Sequence, residues 1–173
     1  MRVIGGEFRS RVLKSLPGLE VRPTPDRLRE ALFNVLAPRI QDVVFADVYA
    51  GTGAVGIEAL SRGAARAVFI EPNRAAVNVI RENLESLGLT HRATIRNTRA
   101  AAALASLEAD IIFLDPPYKL PREYERSLTL LGEKQRDLVI VQHETRLALA
   151  DIYGRLRRTR VLKQGDNALS FYG

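Results

Sequence analysis

From residue 43 onward, short apolar runs alternate with stretches in which apolar residues recur every three to four positions. The runs at 43–48, 67–70, 93–96, 111–114 and 138–142 have the length and β-branched content of buried strands. Between them, residues 55–61, 73–87, 99–107 and 122–131 are predicted to be helical. In the second of these, Val77, Ile80, Leu84 and Leu87 share one face, and Gly63 and Gly88 stand where the first two helices should end. An earlier helix is predicted to start at Thr24, with the threonine as N-cap and Pro25 in the first position, where a missing N–H costs nothing. Asp26 suits the positive end of that helix dipole. Leu28, Ala31, Leu32 and Val35 form its buried stripe, and Pro38 follows its end. Strands alternating with helices predict an α/β domain with a doubly wound, mostly parallel sheet. Strands apolar at every residue agree, because helices then cover both faces. The last segment differs: 153–162 and 168–172 flank Gly165, Asp166 and Asn167, which predicts an antiparallel hairpin at the end of the sheet.

Ahead of the first helix lies a short basic N-terminal arm, residues 1–23, in which Arg2, Arg9, Arg11, Lys14 and Arg22 outnumber Glu7 and Glu20. Arg2, Val3 and Ile4 read as a short strand, Gly5 and Gly6 as a turn, and Pro17 and Gly18 as a second break. A length of 173 residues suits a single domain, with the arm at 1–23 and the core at 24–173. The net charge of +6 points toward a polyanionic partner. The absence of cysteine excludes disulfides, thiolate metal sites and a cysteine nucleophile. The two histidines, His91 and His143, lie far apart with no carboxylate cluster beside either; both read as surface or strand-edge residues, and no metal is expected. No apolar run approaches the ~20 residues that span a bilayer, and the first residues lack a signal-peptide core. A cytoplasmic protein without a membrane partner is expected.

Two loops carry candidate chemistry. Gly51, Thr52 and Gly53 follow the first strand and open a helix, with Gly56 completing a G-x-G-x-x-G pattern. Glycines there let the backbone turn sharply and approach a ligand. Glu71 ends the next strand, twenty residues after Gly51, where a carboxylate can accept both ribose hydroxyls of an adenosine. Dinucleotide enzymes share this pattern, but Asp47 ends the first strand; a carboxylate there repels a pyrophosphate and attracts the cationic S-adenosylmethionine. Asp47, Gly51, Thr52, Gly53, Glu71 and Pro72 are therefore the candidate cofactor-binding residues.

The second loop, Asp115, Pro116, Pro117 and Tyr118, follows the fourth strand and should face the same cleft, since ligands bind at the carboxyl ends of such strands. An exocyclic base amine is a poor nucleophile because its lone pair is delocalised into the ring. Acceptors around its hydrogens, here the Asp115 carboxylate and the Pro116 carbonyl, can hold that lone pair toward a methyl donor. Proline fixes the backbone that carries the carbonyl, and Tyr118 can stack on the base. These four are the candidate catalytic residues.

With Arg2-Val3-Ile4-Gly5-Gly6, the run from Arg22 to Asn34 that opens Arg-Pro-Thr-Pro-Asp-Arg, the glycine loop, Glu71, the Asp-Pro-Pro-Tyr corner and the closing Lys163-Gln164-Gly165, the chain resembles the RsmD-type 16S ribosomal RNA guanine-N2 methyltransferases over nearly its whole length. The resemblance implies a seven-stranded class I methyltransferase sheet and methyl transfer from S-adenosylmethionine to the N2 amine of one guanine in 16S rRNA. The implied substrate is the RNA within small ribosomal subunit particles, and a monomer is expected. Arg22 and Thr24 would lie near the cleft, and Arg9, Arg11 and Arg27 join them as candidate RNA contacts. In similar enzymes an Asp or Asn after the third strand contacts the adenine amino group; Arg99 stands there, with Asn97 two residues earlier. Two alternatives remain at this level: an amino-methyltransferase acting on DNA adenine or cytosine, and a nucleic-acid-binding module with a vestigial cofactor pocket. Four arginines, 155, 157, 158 and 160, crowd the hairpin; simple alternation puts Arg158 and Arg160 on one face and the other two opposite.

Overall fold

A computed structural model describes residues 1–17 and 24–173. Five parallel strands form one side of the sheet: β1 (Val44–Val48), β2 (Arg66–Ile70), β3 (Ala93–Arg96), β4 (Ile111–Leu114) and β5 (Leu138–Glu144). Three more, β6 (Ile152–Tyr153), β7 (Leu156–Gln164) and β8 (Asn167–Tyr172), continue it antiparallel, giving the order β3-β2-β1-β4-β5-β8-β7-β6. The sheet is thus mixed and has eight strands, not the seven expected. The additional one is β6, whose two residues pair with β7 across a turn at Gly154, held at φ 58°; Tyr153, assigned to the hairpin strand from sequence, belongs to β6.

The helices α1 (Asp26–Leu36), α2 (Ala54–Ser61) and α3 (Arg74–Ser86) pack on one face through Leu32, Phe33, Ala59 and Ile80 against Phe45, Phe69 and Phe113. On the other face lie α4 (Ala100–Ala103), a 3-10 turn at Leu104–Ser106 and α5 (Pro121–Gly132), against Val48, Leu114 and Val141. No helix among the described residues is long and apolar enough to cross a membrane.

Several local expectations change. Pro25, extended at ψ 139°, is the N-cap of α1 and makes no side-chain cap; Thr24 is instead buried beyond the helix. The buried stripe of α1 also turns by about one position, taking in Phe33, Leu36 and the fully covered Arg29 while Ala31 and Val35 lie at its margin. Arg29 Nη2 donates to the Arg2 carbonyl (2.6 Å) and to Asp26 (3.2 Å), while its covered Nε and Nη1 have no partner among the described residues. His143 is no surface residue: it lies buried in an interior strand, its ring nitrogens 2.8 Å from the Glu144 carbonyl and from Ser170 Oγ. On β7 the register shifts between Arg158, opposite Tyr172, and Arg160, opposite Phe171. That bulge adds a residue, so Arg158 and Arg160 face opposite sides.

The first residues do not trail away from the domain. Arg2 pairs with Val12, and Val3 and Leu13 are buried against α2 and α3. Glu58, fully covered on α2, accepts the amides of Ile4 (2.9 Å) and Gly5 (2.8 Å) and pairs with Arg62. Glu58→Ala leaves two amides and a guanidinium short of an acceptor, and is expected to lower unfolding free energy by about 3 kcal/mol in denaturant titrations.

Candidate active site

The carboxyl ends of β1, β2, β4 and β5 surround one cleft of ≈ 650 Å³. Gly51, Glu71 and Pro72 form one wall, and Asp115, Pro116, Pro117 and Tyr118 form the other. A small recess of ≈ 40 Å³ adjoins it, bordered by Asp47, Thr52 and Thr24 and sharing Tyr49, Gly51 and Asp115 with the larger space. The glycine loop and the Asp-Pro-Pro-Tyr corner therefore open onto the same space, as the parallel topology requires.

The loop after β1 is held by carboxylates from the sheet. Asp47 Oδ2 accepts the Gly56 amide at 2.9 Å, fixing the first turn of α2. Glu71 Oε2 accepts the Gly51 amide at 2.8 Å, and its Oε1 accepts the Asn73 amide at 3.0 Å. Gly53 caps α2 at φ 85°, and a Cβ on Gly56 would lie 2.3 Å from the Phe69 ring, so the tight approach of helix to strand depends on that glycine. Tyr49, to which sequence assigns no role, takes φ 63° and places its hydroxyl 2.9 Å from both Glu123 and Ser127 on α5, tying the cleft floor to the opposite helix layer.

The second corner is equally fixed. Tyr124 Oη donates to the Pro116 carbonyl at 3.0 Å, which uses one of its two lone pairs. Tyr118 Oη donates to Asn167 Oδ1 at 2.7 Å, so the β7–β8 turn holds the ring at the cleft. The sequence marks Asn167 only as a turn residue and Tyr124 only as part of a helix; neither is marked as a support of this corner.

Burial dominates the electrostatics. It pushes the Asp115 carboxyl up to about 7. Burial also raises Asp47 well above the usual carboxylate range against the Gly56 hydrogen bond, with Asp115 and Glu71 adding repulsion. Glu71 is raised by burial, partly offset by its two amide donors. No cluster among the described residues has the ligand set for a metal ion.

Not every candidate residue reaches the cleft. Thr24 borders the recess. Arg9, Arg11 and Arg27 are exposed and line neither space; Arg11 donates to the Ser86 carbonyl at the end of α3. Arg22 lies outside the described residues. Asn97 donates to the carbonyls of Glu71 and Pro72, both at 3.0 Å, so it shapes the loop beside the cleft without lining it; Arg99 is exposed. Conversely, Gln142 and Glu144 at the end of β5 line the cleft, although nothing in the sequence marks them.

The chain is similar to known proteins over most of its length. The family model described as Conserved hypothetical protein 95 matches residues 1–173. YlbH of Bacillus subtilis is 36% identical over 99% of this chain and 98% of its own length. Ribosomal RNA small subunit methyltransferase D of Escherichia coli is 44% identical over 69% of this chain and 61% of its own. Among solved structures, yhhF from Escherichia coli superposes with a TM-score of 0.87 at 34% identity, over 99% of this chain and 96% of that one. With a whole-length family match and relatives well above 30% identity, the chain belongs to the RsmD family of methyltransferases.

Proposed function

We propose that this protein transfers a methyl group from S-adenosylmethionine to the N2 amine of a guanine in 16S rRNA, acting in the cytoplasm as a monomer on small-subunit particles. The observation that carries this reading is the shared cleft, in which Glu71 and Gly51 stand across from Asp115 and Tyr118. The name of the Escherichia coli relative, a ribosomal RNA small subunit methyltransferase, supports the substrate class.

The residues fit the cofactor. Asp47, Glu71 and Asp115 lie close enough around the glycine loop for Asp115 and Glu71 to disfavour the charged form of Asp47, a repulsion that a cationic ligand would relieve. Each Glu71 oxygen already takes one amide and keeps a lone pair for a ribose hydroxyl. Gly51 and Pro72 would border the adenosine, and Asp47 and Thr52 the amino-acid end. When bound, S-adenosylmethionine supplies an electrophilic methyl group on a sulfonium, which leaves as a neutral thioether as the bond to nitrogen forms.

The chain's own groups supply the rest. As a carboxylate, Asp115 accepts one N2 hydrogen, and the free lone pair of the Pro116 carbonyl accepts the other. Together they turn the nitrogen lone pair toward the donor, an alignment that lowers the barrier by positioning alone. Asp115 then takes the proton that the methylated nitrogen sheds and returns it to water. Tyr118, pinned through Asn167, presents its ring to the base, a contact worth about 1–3 kcal/mol in comparable stacks. The guanine must be unpaired or flipped to enter. Arg9, Arg11 and Arg27 would meet phosphates outside the cleft, and Arg22 remains a candidate RNA contact, so binding should weaken with added salt.

Labelled cofactor is to be incubated with small-subunit particles lacking the mark, and the nucleosides resolved by mass. The expected product is N2-methylguanosine at one site. Methyladenosine or methylcytidine would reject the base, and label on DNA alone would reject the substrate.

A further inference from the structure

Gln142 is 2% exposed, lines the cleft, and carries a covered Oε1 with no hydrogen-bond partner among the described residues. A buried amide oxygen left this way is costly, which is why native proteins seldom keep one. The sheet register explains where it sits. Leu114 on β4 pairs with Val141 on β5, so one step further along these parallel strands brings Asp115 and Gln142 side by side. Side chains alternate along each strand. Val141 and Leu114 pack toward α4 and α5, and Ile140 and Phe113 toward α1 and α2. Asp115 and Gln142 therefore share the second face, as neighbours at the cleft floor.

We propose that Gln142 is a specificity-determining residue that reads the N1–O6 edge of the target guanine while Asp115 holds its N2 amine. The inference rests on the guanine-N2 reading above and deepens it. Along the edge of guanine, the group next to N2 is the N1–H donor, followed by the O6 acceptor. A carboxamide matches that order: its oxygen accepts N1–H and its nitrogen donates to O6, the two bonds lying in one plane. Oε1 has no accessible surface in this conformation, so for both amide atoms to meet the base edge the side chain must turn out of its buried position toward the cleft that it lines. The other amines a methyltransferase can take do not fit. Adenine with N6 at Asp115 offers an N1 acceptor and then a C–H, which leaves Oε1 unpaired. Cytosine with N4 there offers two acceptors in succession, with the same result. An acceptor already lacking a partner selects the one base whose next atom is a donor. A site built to hydrogen-bond a substrate group rejects an analogue lacking that group far more strongly than an apolar pocket does.

The test uses small-subunit RNA in which the target guanine is replaced by 2-aminopurine, which keeps the exocyclic amine but has neither N1–H nor O6. The wild-type protein is expected to favour guanine by roughly 100-fold in kcat/KM, and Q142L to reduce that preference to about five-fold. Calorimetry with S-adenosylmethionine should give unchanged affinity for Q142L, which reports that the fold and the cofactor wall are intact. Q142E keeps an acceptor for N1–H and is expected to retain most of the preference. Equal rates on the two bases with the wild-type protein, a measurement independent of any variant, would overturn the proposal. So would a Q142L protein that discriminates as the wild type does. Failure of the underlying reading looks different: the wild-type protein then forms no N2-methylguanosine from the guanine RNA at all, and both fall together.

Discussion

Asp115→Ala is expected to slow methyl transfer by roughly 100- to 1000-fold, the usual effect of removing a preorganised group at the reacting centre, while S-adenosylmethionine affinity changes only a few-fold. Asp115 ends β4 beside the corner whose other members are fixed from elsewhere: Pro116 by Tyr124 and Tyr118 by Asn167. Deleting the carboxylate should leave that frame standing and remove only the acceptor facing the amine. Glu71→Ala should give the opposite phenotype. It removes the acceptor that secures the Gly51 amide and the Asn73 amide on the cofactor wall. Charged hydrogen bonds of this kind predict a loss of roughly 10- to 100-fold in cofactor affinity, with the single-turnover rate at saturating cofactor much less affected. Calorimetry separates binding from chemistry, and rapid-quench single turnover reads the chemistry alone. If Glu71→Ala stops the chemical step and Asp115→Ala loses cofactor instead, the roles of the two walls have been exchanged.

The parts of this molecule that were legible in its sequence are those governed by local pattern. Strands β3 and β4 fall on the predicted residues because Ala93 to Arg96 and Ile111 to Leu114 are short and sharply bounded. Both cleft walls were legible because a backbone that must approach a ligand needs glycine, and a rigid corner needs proline, at fixed places in the chain. What escaped was whatever depends on pairing between distant segments. Arg29 falls outside the apolar stripe that the sequence predicts for α1, and is covered where its guanidinium meets the first residues of the chain. The alternation of Arg158 and Arg160 is broken by a bulge that exists only in the pairing of β7 with β8. Gln142 looks like the polar end of an apolar run; only the register of β5 against β4 makes it a neighbour of Asp115. The same reason hides Asn167, which reads as a turn residue and serves as the anchor of Tyr118.

Activity should show an acid limb near pH 7 that stability does not share. Burial holds the Asp115 carboxyl at about 7, and only its ionised form is an acceptor on both oxygens. In the free enzyme, kcat/KM is therefore expected to fall about tenfold per pH unit below 7, near a hundredfold by pH 5, and to level off above 8. A cationic donor beside the carboxylate favours its charged form, so the limb in kcat should lie at lower pH than the limb in kcat/KM. For stability the sign is reversed. A carboxyl whose folded value lies above its unfolded one binds its proton more tightly when folded; its contribution is full below about pH 4 and is lost as pH rises through about 7. Asp115→Asn, which is uncharged at every pH, isolates that contribution. The variant should match the wild type in unfolding free energy near pH 4 and exceed it by on the order of 2–4 kcal/mol at pH 8, while its residual activity shows no acid limb. Denaturant titrations at the two pH values check the first statement and a pH–rate series checks the second. A difference between the two proteins that stayed constant from pH 4 to pH 8 would mean that folding does not raise the Asp115 carboxyl, and the acid limb would then have to belong to another group.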